Sequence, residues 1–513
     1  MGAAGSAQPL EVESSLGRVT GYDSGDGFQS FRGMPYARVP GRWQPAAPIE
    51  RWQDVIDGSG QPPCSPRVDV GMPGLGTGEQ RKDGETLHVS VHRPSAAGAP
   101  RPVMVWIHGG GFIMGSPDGP LYNPQQLVAT GDLILVTLNY RLGVLGSLDT
   151  RSLGLDMDGL NQHLRDQLLA LRWVRDHIAD FGGDPQRVTV FGESAGATSV
   201  ACHMGCPQAQ GLFQRAILQS CAAGQLMTAE QGALVASRVL EAATEAGGDP
   251  ARLAALSDEQ LFAAGMRASA GLLSSGVRLA FVPTASGGLF PAHPLHAIAG
   301  GLSRGVATLV GNNLDEWRFF GAGDKRLDAM DRETTRTLVQ KRLAAGGEPP
   351  DGQAEQLLSV YGWPEGAEAS SFNVFCGIEG DRIYRNSGLA VAEAMLRHTP
   401  DVYAYLLTWA SRSARLGSCH TVDLPFVFGS LDAPGMAGFV GDGPEARTLS
   451  AAMVEAWTRF ANAQPPGAPS LPTWPHYDLE RRSTMVLGRE RELVDDPHAE
   501  RRRAWGALLP DAD

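Results

Sequence analysis

The feature that most constrains this chain is a sharp turn around Ser194. A short β-branched and apolar run, residues 188–191, stops at Gly192, and small residues follow the serine. The pattern is G-x-S-x-G, placed where a strand turns into a helix. Gly192 and Gly196 have no side chain beyond hydrogen, so the backbone can fold tightly enough to expose the serine oxygen at the top of a sheet. The amide of Ala195 then points toward an oxygen bound in front of Ser194. The pattern predicts a nucleophilic serine, although it also occurs in glycine-rich turns without chemistry.

The segments before this turn alternate between apolar strands and a helix. Residues 103–107 form a continuous apolar run, which is typical of a strand buried on both faces, and residues 133–138 repeat the pattern. A helix is predicted from about 166 to 180, and the nucleophile strand is expected to begin at Val188. Strand, helix and strand in succession indicate βαβ units. We therefore predict an α/β fold with a mostly parallel central sheet flanked by helices.

The rest of the chain extends this pattern in both directions. Residues 16–60 are expected to form short antiparallel strands, and residues 61–84, rich in glycine and proline, an irregular loop. Further strands are predicted at 87–91, 216–220, 307–311 and 402–407, and helices within 227–280, between about 330 and 400, and from about 449 to 462. Candidate chemical groups follow strands from residue 108 to residue 420, so one sheet must gather them. We predict a single catalytic domain, 1–513, with helical insertions around 222–290 and 318–400.

Three glycines follow the first buried strand directly. Gly109, Gly110 and Gly111 come after His108, and successive glycines let backbone N–H groups face an anion at close range. A carbonyl group attacked by the serine would develop a negative oxygen, and losing one donor to it typically costs about 3 kcal/mol. We expect the N–H groups of Gly110, Gly111 and Ala195 to form such an oxyanion hole. The alternative for the three glycines is a flexible turn.

A serine hydroxyl is a poor nucleophile near neutral pH and needs a base within hydrogen-bond reach. Among twelve histidines, His420 fits best, because it follows a strand, has small neighbours in a loop and comes after the serine, the order found in α/β-hydrolases. His108 precedes the serine and belongs to the glycine loop, so we assign it a structural role. His163, His177 and His203 lie in predicted helices and are also expected to be structural.

An acid should orient His420 and stabilise the imidazolium that forms during attack. The strand at 307–311 ends in a polar run that offers Asp315 and Glu316, and spacing alone does not separate the two. Glu193 is nearer to the serine in the chain, but it precedes Ser194 and is held on the turn beside it. For Asp315 and Glu316 the alternative is an exposed loop carboxylate, the commonest position of such residues.

Composition limits the classes of protein to which the chain can belong. The 513 residues carry a net charge of −13, and no basic stripe with interleaved aromatic residues occurs, so no nucleic-acid partner is expected. Residues 1–9 lack the features of a secretory signal and no run is long enough to span a bilayer, so we expect a cytoplasmic protein. The six cysteines match no metal-ligand spacing and are expected to be reduced and mostly buried. No metal or cofactor is predicted, and nothing in the sequence indicates an oligomeric state.

Taken together, these motifs resemble those of the type-B carboxylesterase family, which includes para-nitrobenzyl esterases, mammalian carboxylesterases and cholinesterases. The matching segments extend over nearly the whole chain and are residues 31–37, 108–112, 139–143, 181–196, 315–316, 417–429 and 471–475. The resemblance implies an α/β-hydrolase fold and a triad of Ser194, Glu316 and His420, which decides for Glu316 over Asp315. It also implies two-step hydrolysis of a small-molecule ester through an acyl-enzyme, without a cofactor.

The chain departs from the family pattern at three places. Residues 85–87 lack the cysteine that would pair with Cys64, so the N-terminal disulfide of the family is not expected. Ser147 and Ser286 stand where the family commonly has phenylalanine and aspartate, and either change could reshape the pocket. Two alternatives to a carboxylesterase are a carbamate or aryl-amide hydrolase using the same serine, and a non-catalytic binding protein. The presence of all three triad residues disfavours the second.

Overall fold

The structure, a computed structural model, describes residues 8–68, 86–155, 159–244, 248–272, 277, 279–344 and 349–508. Most of the predicted loop at 61–84 therefore lies outside the described residues, as do Glu85, the first seven residues and the last five. The described residues include the predicted antiparallel strands within 16–60, the predicted central strands and most of the two predicted helical insertions.

The described strands all belong to one sheet. In chain order they are β1 (Gln8–Ser14), β2 (Gly17–Asp23), β3 (Phe28–Arg38), β4 (Ala47–Pro48), β5 (Ile56–Asp57), β6 (Thr86–Pro94), β7 (Arg101–Ile107), β8 (Ile134–Leu138), β9 (Gly183–Glu193), β10 (Arg215–Gln219), β11 (Ala307–Asn313), β12 (Val402–Leu407), β13 (Ser483–Leu487) and β14 (Arg491–Asp495). Their order across the sheet is β1-β2-β3-β6-β8-β7-β9-β10-β11-β12-β13-β14, with β4 beside β3 and β5 beside β2. Neighbours from β8 to β13 are parallel, whereas β1, β2, β3, β6 and β8 follow one another antiparallel, as do β13 and β14.

The order of the parallel strands reverses at β7. The strand that follows it in the chain, β8, lies on one side of β7, and the next strand, β9, lies on the other. The connections that leave the carboxyl ends of β7 and β9 therefore diverge and open a crevice between them. The glycine loop follows β7 and Ser194 follows β9, so this topology brings the two predicted parts of the site to one crevice.

Helices cover both faces of the sheet. In chain order the α-helices are α1 (Gln125–Gly131), α2 (Gly143–Ser147), α3 (Gln162–His177), α4 (Ala195–Met204), α5 (Ala229–Ala243), α6 (Asp258–Leu272), α7 (Pro294–Ala299), α8 (Arg318–Gly321), α9 (Arg332–Ala344), α10 (Gln353–Val360), α11 (Ser371–Gly380), α12 (Asn386–Leu396), α13 (Leu424–Val427), α14 (Met436–Phe439), α15 (Pro444–Ala461) and α16 (Ala499–Trp505). One turn of π-helix, Asp381–Arg385, joins α11 to α12. Within the described ranges, no helix has the length and apolar character that crossing a bilayer would require.

Alternate residues of the central strands enter two separate apolar cores. On β7, Val103 and Val105 belong to the core on the side of α3 and α4, whereas Met104 and Trp106 belong to the core on the side of α15. Side chains alternate between the faces of a strand, so a strand covered on both faces needs apolar residues at every position. The continuous apolar runs seen in the sequence have this cause.

Several predicted boundaries differ from the structure. The nucleophile strand begins at Gly183, five residues before Val188, and the helix before it ends at His177 and continues as a 3-10 turn. The last long helix begins at Pro444 and not near residue 449, because the glycine and proline at its start serve as N-cap and first turn. Strands β1, β13 and β14 were not predicted, and all three lie at or near an edge of the sheet.

Candidate active site

Ser194 lies at the turn between β9 and α4 in a backbone conformation that non-glycine residues rarely adopt. Its φ is 57° and its ψ is −120°, and its own N–H donates to the carbonyl of Gln219 on β10 over 2.9 Å. A strained serine of this kind persists only where the surroundings hold it in place. Gly196 shows how tightly they do so, because a Cβ on it would lie 1.9 Å from the carbonyl oxygen of Ile107.

His420 lies in the loop after β12 and joins two of the predicted site residues. Its Nε2 is 2.7 Å from Oγ of Ser194, and its Nδ1 is 2.6 Å from Oε2 of Glu316. The imidazole is buried, with 2% of its surface exposed. In the neutral ring, Nδ1–H donates to the carboxylate, and the serine hydroxyl donates to Nε2. The structure thus brings Ser194, His420 and Glu316 into one chain of hydrogen bonds.

The carboxylate of Glu316 is fully engaged. Besides His420, its Oε1 accepts hydrogen bonds from Oγ of Ser220 over 2.5 Å and from the main-chain N–H of Asn313 over 2.7 Å. Asp315, the alternative that spacing left open, points elsewhere. It accepts from the N–H of Ser418 over 2.9 Å and pairs with Arg318 at 3.1 Å. Asp315 therefore fixes the start of the histidine loop, while Glu316 contacts the histidine itself.

A second carboxylate, which the sequence analysis set aside, also reaches His420. Oε1 of Glu193 lies 3.2 Å from Nε2 of the imidazole. Because Nε2 already faces Ser194, this contact is not a hydrogen bond, and it becomes an ion pair when the imidazole is protonated. Within the described residues Oε1 of Glu193 has no hydrogen-bond partner. Asp423 lies behind the site and accepts from Gln219 over 2.6 Å. Glu193 is next to Ser194 in the chain, and Asp423 lies in the segment 417–429 that resembles the histidine loop of the family, but neither was predicted to act on His420.

The buried charges shift two pKa values in the site. Burial raises the pKa of Glu193 to about 8, because a low dielectric disfavours the carboxylate, and the nearby charge of His420 opposes this only in part. For His420, burial acts to lower the pKa, but the negative charges of Glu193 and Glu316 outweigh it and raise the pKa to about 9. Carboxylates next to the ring therefore favour the imidazolium.

The glycine loop after β7 lies across the crevice from Ser194. Gly110 and Gly111 have φ values of 111° and 60°, which favour glycine. A Cβ on Gly110 would lie 2.3 Å from the carbonyl oxygen of Met114, so the loop is also too closely packed there for any side chain. Ala195 is the first residue of α4, and its N–H has no acceptor one turn earlier in the helix. The loop approaches the nucleophile turn at Gly109, where an added Cβ would lie 3.3 Å from Cβ of Ser194.

The other predicted histidines lie outside this hydrogen-bond chain. His108 stacks on Tyr140 with ring centroids 4.4 Å apart, and its Nδ1 contacts the carbonyl of Gly109. His163 contacts the carbonyl of Gly146, and His203 contacts Gln167. Burial lowers the pKa values of His108 and His163 to about 4 and that of His203 to about 3, so all three are neutral. His177 contacts Ser15 at the surface.

Aromatic rings surround the remaining faces of His420, and the sequence analysis missed them. The ring centroid of Tyr384 lies 4.6 Å from that of the imidazole, Phe320 lies at 5.3 Å and Phe319 at 6.1 Å. Phe320 is 43% exposed, whereas Tyr384 is buried. The described residues contain no group of three or more His, Cys, Asp or Glu side chains suited to holding a metal ion.

Comparison with known proteins identifies the family. A model of the carboxylesterase family matches residues 8–505. The chain is also 34% identical to para-nitrobenzyl esterase of Bacillus subtilis over 496 residues, which cover 96% of this chain and 97% of that protein. The chain belongs to the carboxylesterase family. A second relative, phenmedipham hydrolase of Pseudarthrobacter oxydans, is 32% identical over 92% of this chain and 95% of that protein.

Solved structures of this family have the same fold. A PNB esterase superposes with a TM-score of 0.85 at 32% identity, covering 98% of this chain and 100% of that one. A carboxylesterase of Geobacillus stearothermophilus gives 0.83 at 32% identity, covering 96% and 99%. The predicted α/β-hydrolase fold and the predicted family are confirmed. The protein is a serine carboxylesterase, an enzyme that hydrolyses carboxylic esters.

Proposed function

We propose that Ser194, His420 and Glu316 are the catalytic triad of this carboxylesterase, and that the N–H groups of Gly110, Gly111 and Ala195 form its oxyanion hole. The observation that carries this proposal is the pair of hydrogen bonds, 2.7 Å and 2.6 Å, that link the serine through the imidazole to the carboxylate. Each distance lies within the range that proton transfer requires.

The reaction proceeds in two halves. Oγ of Ser194 attacks the ester carbonyl carbon as its proton passes to Nε2 of His420, and Glu316 stabilises the imidazolium. The carbonyl oxygen becomes an oxyanion held by the three backbone N–H groups. When the tetrahedral intermediate collapses, the C–O bond to the alcohol breaks, and His420 returns the proton to the leaving oxygen. In the second half, water gives a proton to His420, attacks the acyl carbon and releases the acid, and Ser194 regains its hydrogen.

The proposal extends to the organisation of the chain and its surroundings. We assign all of 1–513 to one catalytic domain, supported by a single sheet that supplies Ser194, Glu316 and His420 from the ends of β9, β11 and β12. A cytoplasmic location is supported by the buried thiols of Cys202, Cys206, Cys221, Cys376 and Cys419, which form no disulfide. The partner is a small-molecule ester.

The experiment that tests the triad combines labelling with turnover. A fluorophosphonate should modify Ser194 in the wild-type protein, identified by peptide mass, and short para-nitrophenyl esters should be turned over rapidly. Ser194→Ala and His420→Ala should each lose nearly all turnover. Ser450→Ala is a matched control, because this buried serine on α15 donates one hydrogen bond, to the carbonyl of Phe426. Normal turnover by Ser194→Ala, or a label on another residue, would refute the proposal.

A carbamate- or amide-cleaving hydrolase is the second candidate. It is favoured by one observation, the 32% identity to a protein named phenmedipham hydrolase. The same serine would attack either substrate, so turnover separates the two. A panel of esters that differ separately in acyl and alcohol size, run beside matched carbamates and anilides, should show rapid turnover for esters and slow release of the carbamoyl-enzyme. Faster steady-state turnover of a carbamate than of its matched ester would favour the second candidate.

A further inference from the structure

The ring that lies closest to His420 is carried by an unusual piece of backbone. Tyr384 sits on the single π-helical turn, Asp381–Arg385, between α11 and α12. A π turn inserts one extra residue into a helix and is often found at functional sites. The ring of Tyr384 lies 4.6 Å from the imidazole at an angle of 32° and is buried. It therefore covers one face of the imidazole and restricts rotation of the ring.

Buried polar contacts hold the π turn. Its first and last residues form an ion pair, Asp381 with Arg385 at 3.8 Å, and both side chains are 7% exposed. The hydroxyl of Tyr361, which follows α10, donates to Oδ2 of the same carboxylate. Burial, and next to it the charge of Asp381, keep the pKa of Tyr361 well above its usual range, so the phenol retains the proton that it donates.

The other contacts of this network come from the C-terminal segment, residues 497–505. Nε1 of Trp505 donates to the hydroxyl of Tyr361 over 3.0 Å. The guanidinium of Arg501 lies over the ring of Tyr361, 4.6 Å from its centroid. Arg385 donates to the carbonyl of Pro497. A segment more than a hundred residues beyond the π turn in the chain thus contacts it through Tyr361 and Arg385.

We propose that the C-terminal segment 497–505 positions the catalytic imidazole by holding the π turn, and with it Tyr384, against His420. The imidazole needs a fixed plane, because Nδ1 must face Glu316 while Nε2 faces Ser194. Tyr384, Tyr361 and Trp505 are positioning residues, since the ring of Tyr384 packs on the imidazole and the other two act through the π turn. This inference rests on the proposed triad. It adds that a segment far from Ser194 in the chain fixes the orientation of the imidazole.

The test removes single hydrogen bonds and keeps the rings. Tyr361→Phe loses the contact to Asp381 and the contact from Trp505, and Trp505→Phe loses only the second. A small displacement of a catalytic group is costly, so each variant should lower kcat by about tenfold or more. Each should also shift the acidic limb of the kcat/KM pH profile, because a loosened ring lets water reach His420. The groups that face this imidazole in the wild type are Glu193, Glu316 and Asp423.

Trp363→Phe is the matched control. Trp363 belongs to the same helical cluster as Trp505, and its Nε1 also donates one hydrogen bond of 3.0 Å, to the carbonyl of Ala367. We expect it to lower the melting temperature as much as Trp505→Phe does, with the wild-type kcat and pH profile. If Trp505→Phe and Tyr361→Phe also kept the wild-type profile, the segment would be merely structural and the inference would be wrong.

A double-mutant cycle gives a second, independent reading. Tyr384→Ala alone should reproduce the shift of the pH profile, and Tyr361→Phe should add little to it, because both changes act through one ring. Fully additive losses would overturn the inference. If the proposed triad were wrong, Ser194→Ala would remain active. If only this inference were wrong, Ser194→Ala would be inactive, but Tyr361→Phe and Trp505→Phe would behave like the wild type.

Discussion

Replacing Glu316 by glutamine has an outcome that follows from the donors around its carboxylate. His420 lies on one side at 2.6 Å, and Ser220 and the main-chain N–H of Asn313 lie on the other at 2.5 Å and 2.7 Å. A glutamine of the same shape must direct its NH2 group to one side. The N–H of Asn313 can only donate, so an NH2 group facing it would leave two donors in contact at a buried site. The NH2 group therefore faces His420.

An amide donor at that position selects the wrong tautomer of the imidazole. Nδ1 of His420 must then accept, so the neutral ring carries its proton on Nε2 and has no lone pair for the hydroxyl of Ser194. A carboxylate-to-amide change of this kind in a serine hydrolase lowers kcat by roughly 10⁴, or about 5.4 kcal/mol of activation free energy. We expect Glu316→Gln to lower kcat on a para-nitrophenyl ester by this order, with KM changed by no more than about threefold.

Asp315→Asn is the neighbouring control for that prediction. Asp315 pairs with Arg318 and accepts from the N–H of Ser418, so the variant loosens the histidine loop and leaves the tautomer of the imidazole unchanged. Its kcat should stay within about tenfold of the wild type. Thermal unfolding of both variants, recorded beside steady-state turnover, separates misfolding from lost catalysis. If Asp315→Asn were as inactive as His420→Ala and Glu316→Gln were active, our assignment of the acid would be wrong.

Three further perturbations have directions set by the structure. Glu193→Gln removes a charge that stabilises the imidazolium, so the acidic limb of the kcat/KM profile should move to lower pH; a move to higher pH would contradict the contact. Burial lowers the pKa of His92 to about 3, below its value in the unfolded chain, so the protein loses stability as the pH falls below about 6.5. In His92→Asn the slope of the unfolding free energy between pH 6 and 5, measured by urea titration, should be smaller by about 1 kcal/mol per pH unit. Gly196→Ala places a Cβ 1.9 Å from a carbonyl oxygen and should abolish folding or activity, whereas Gly388→Ala, with open space inside α12, should raise the melting temperature slightly.

The central strands β7 to β12 could be predicted from the sequence because they are largely buried on both faces. Residues 103–107 are apolar at every position because their side chains enter the two cores alternately. A strand with one face in solvent does not show such a continuous apolar run. Strand β14 shows the opposite case. It lies at the edge of the sheet with no fully buried position, so its sequence, RELVD, carries no apolar pattern to detect.

The choice between Asp315 and Glu316 illustrates a second limit. Both follow β11, and a single residue decides which side chain turns toward the histidine loop. The direction of these side chains cannot be predicted from their spacing, because strand β11 ends at Asn313 and the alternation of a strand no longer applies after it. The resemblance to a known family selected Glu316, and the structure places its carboxylate on the imidazole. The catalytic role of Glu316 itself stays a prediction until the glutamine variant is measured.

The surroundings of His420 could not be predicted for a reason of periodicity. Helical patterns are recognised at 3.6 residues per turn, and the π turn at Asp381–Arg385 inserts a residue that changes which side chains face the site. A regular helix continued from α11 would not direct Tyr384 as this turn does. Glu193 was set aside for a different reason: it precedes Ser194, whereas the acid was expected after the serine, so its contact with His420 was not predicted. Tyr384 and Glu193 affect the orientation and the pKa of His420, and their contacts with it are recognised only once the three-dimensional structure brings the ends of β9 and β12 together.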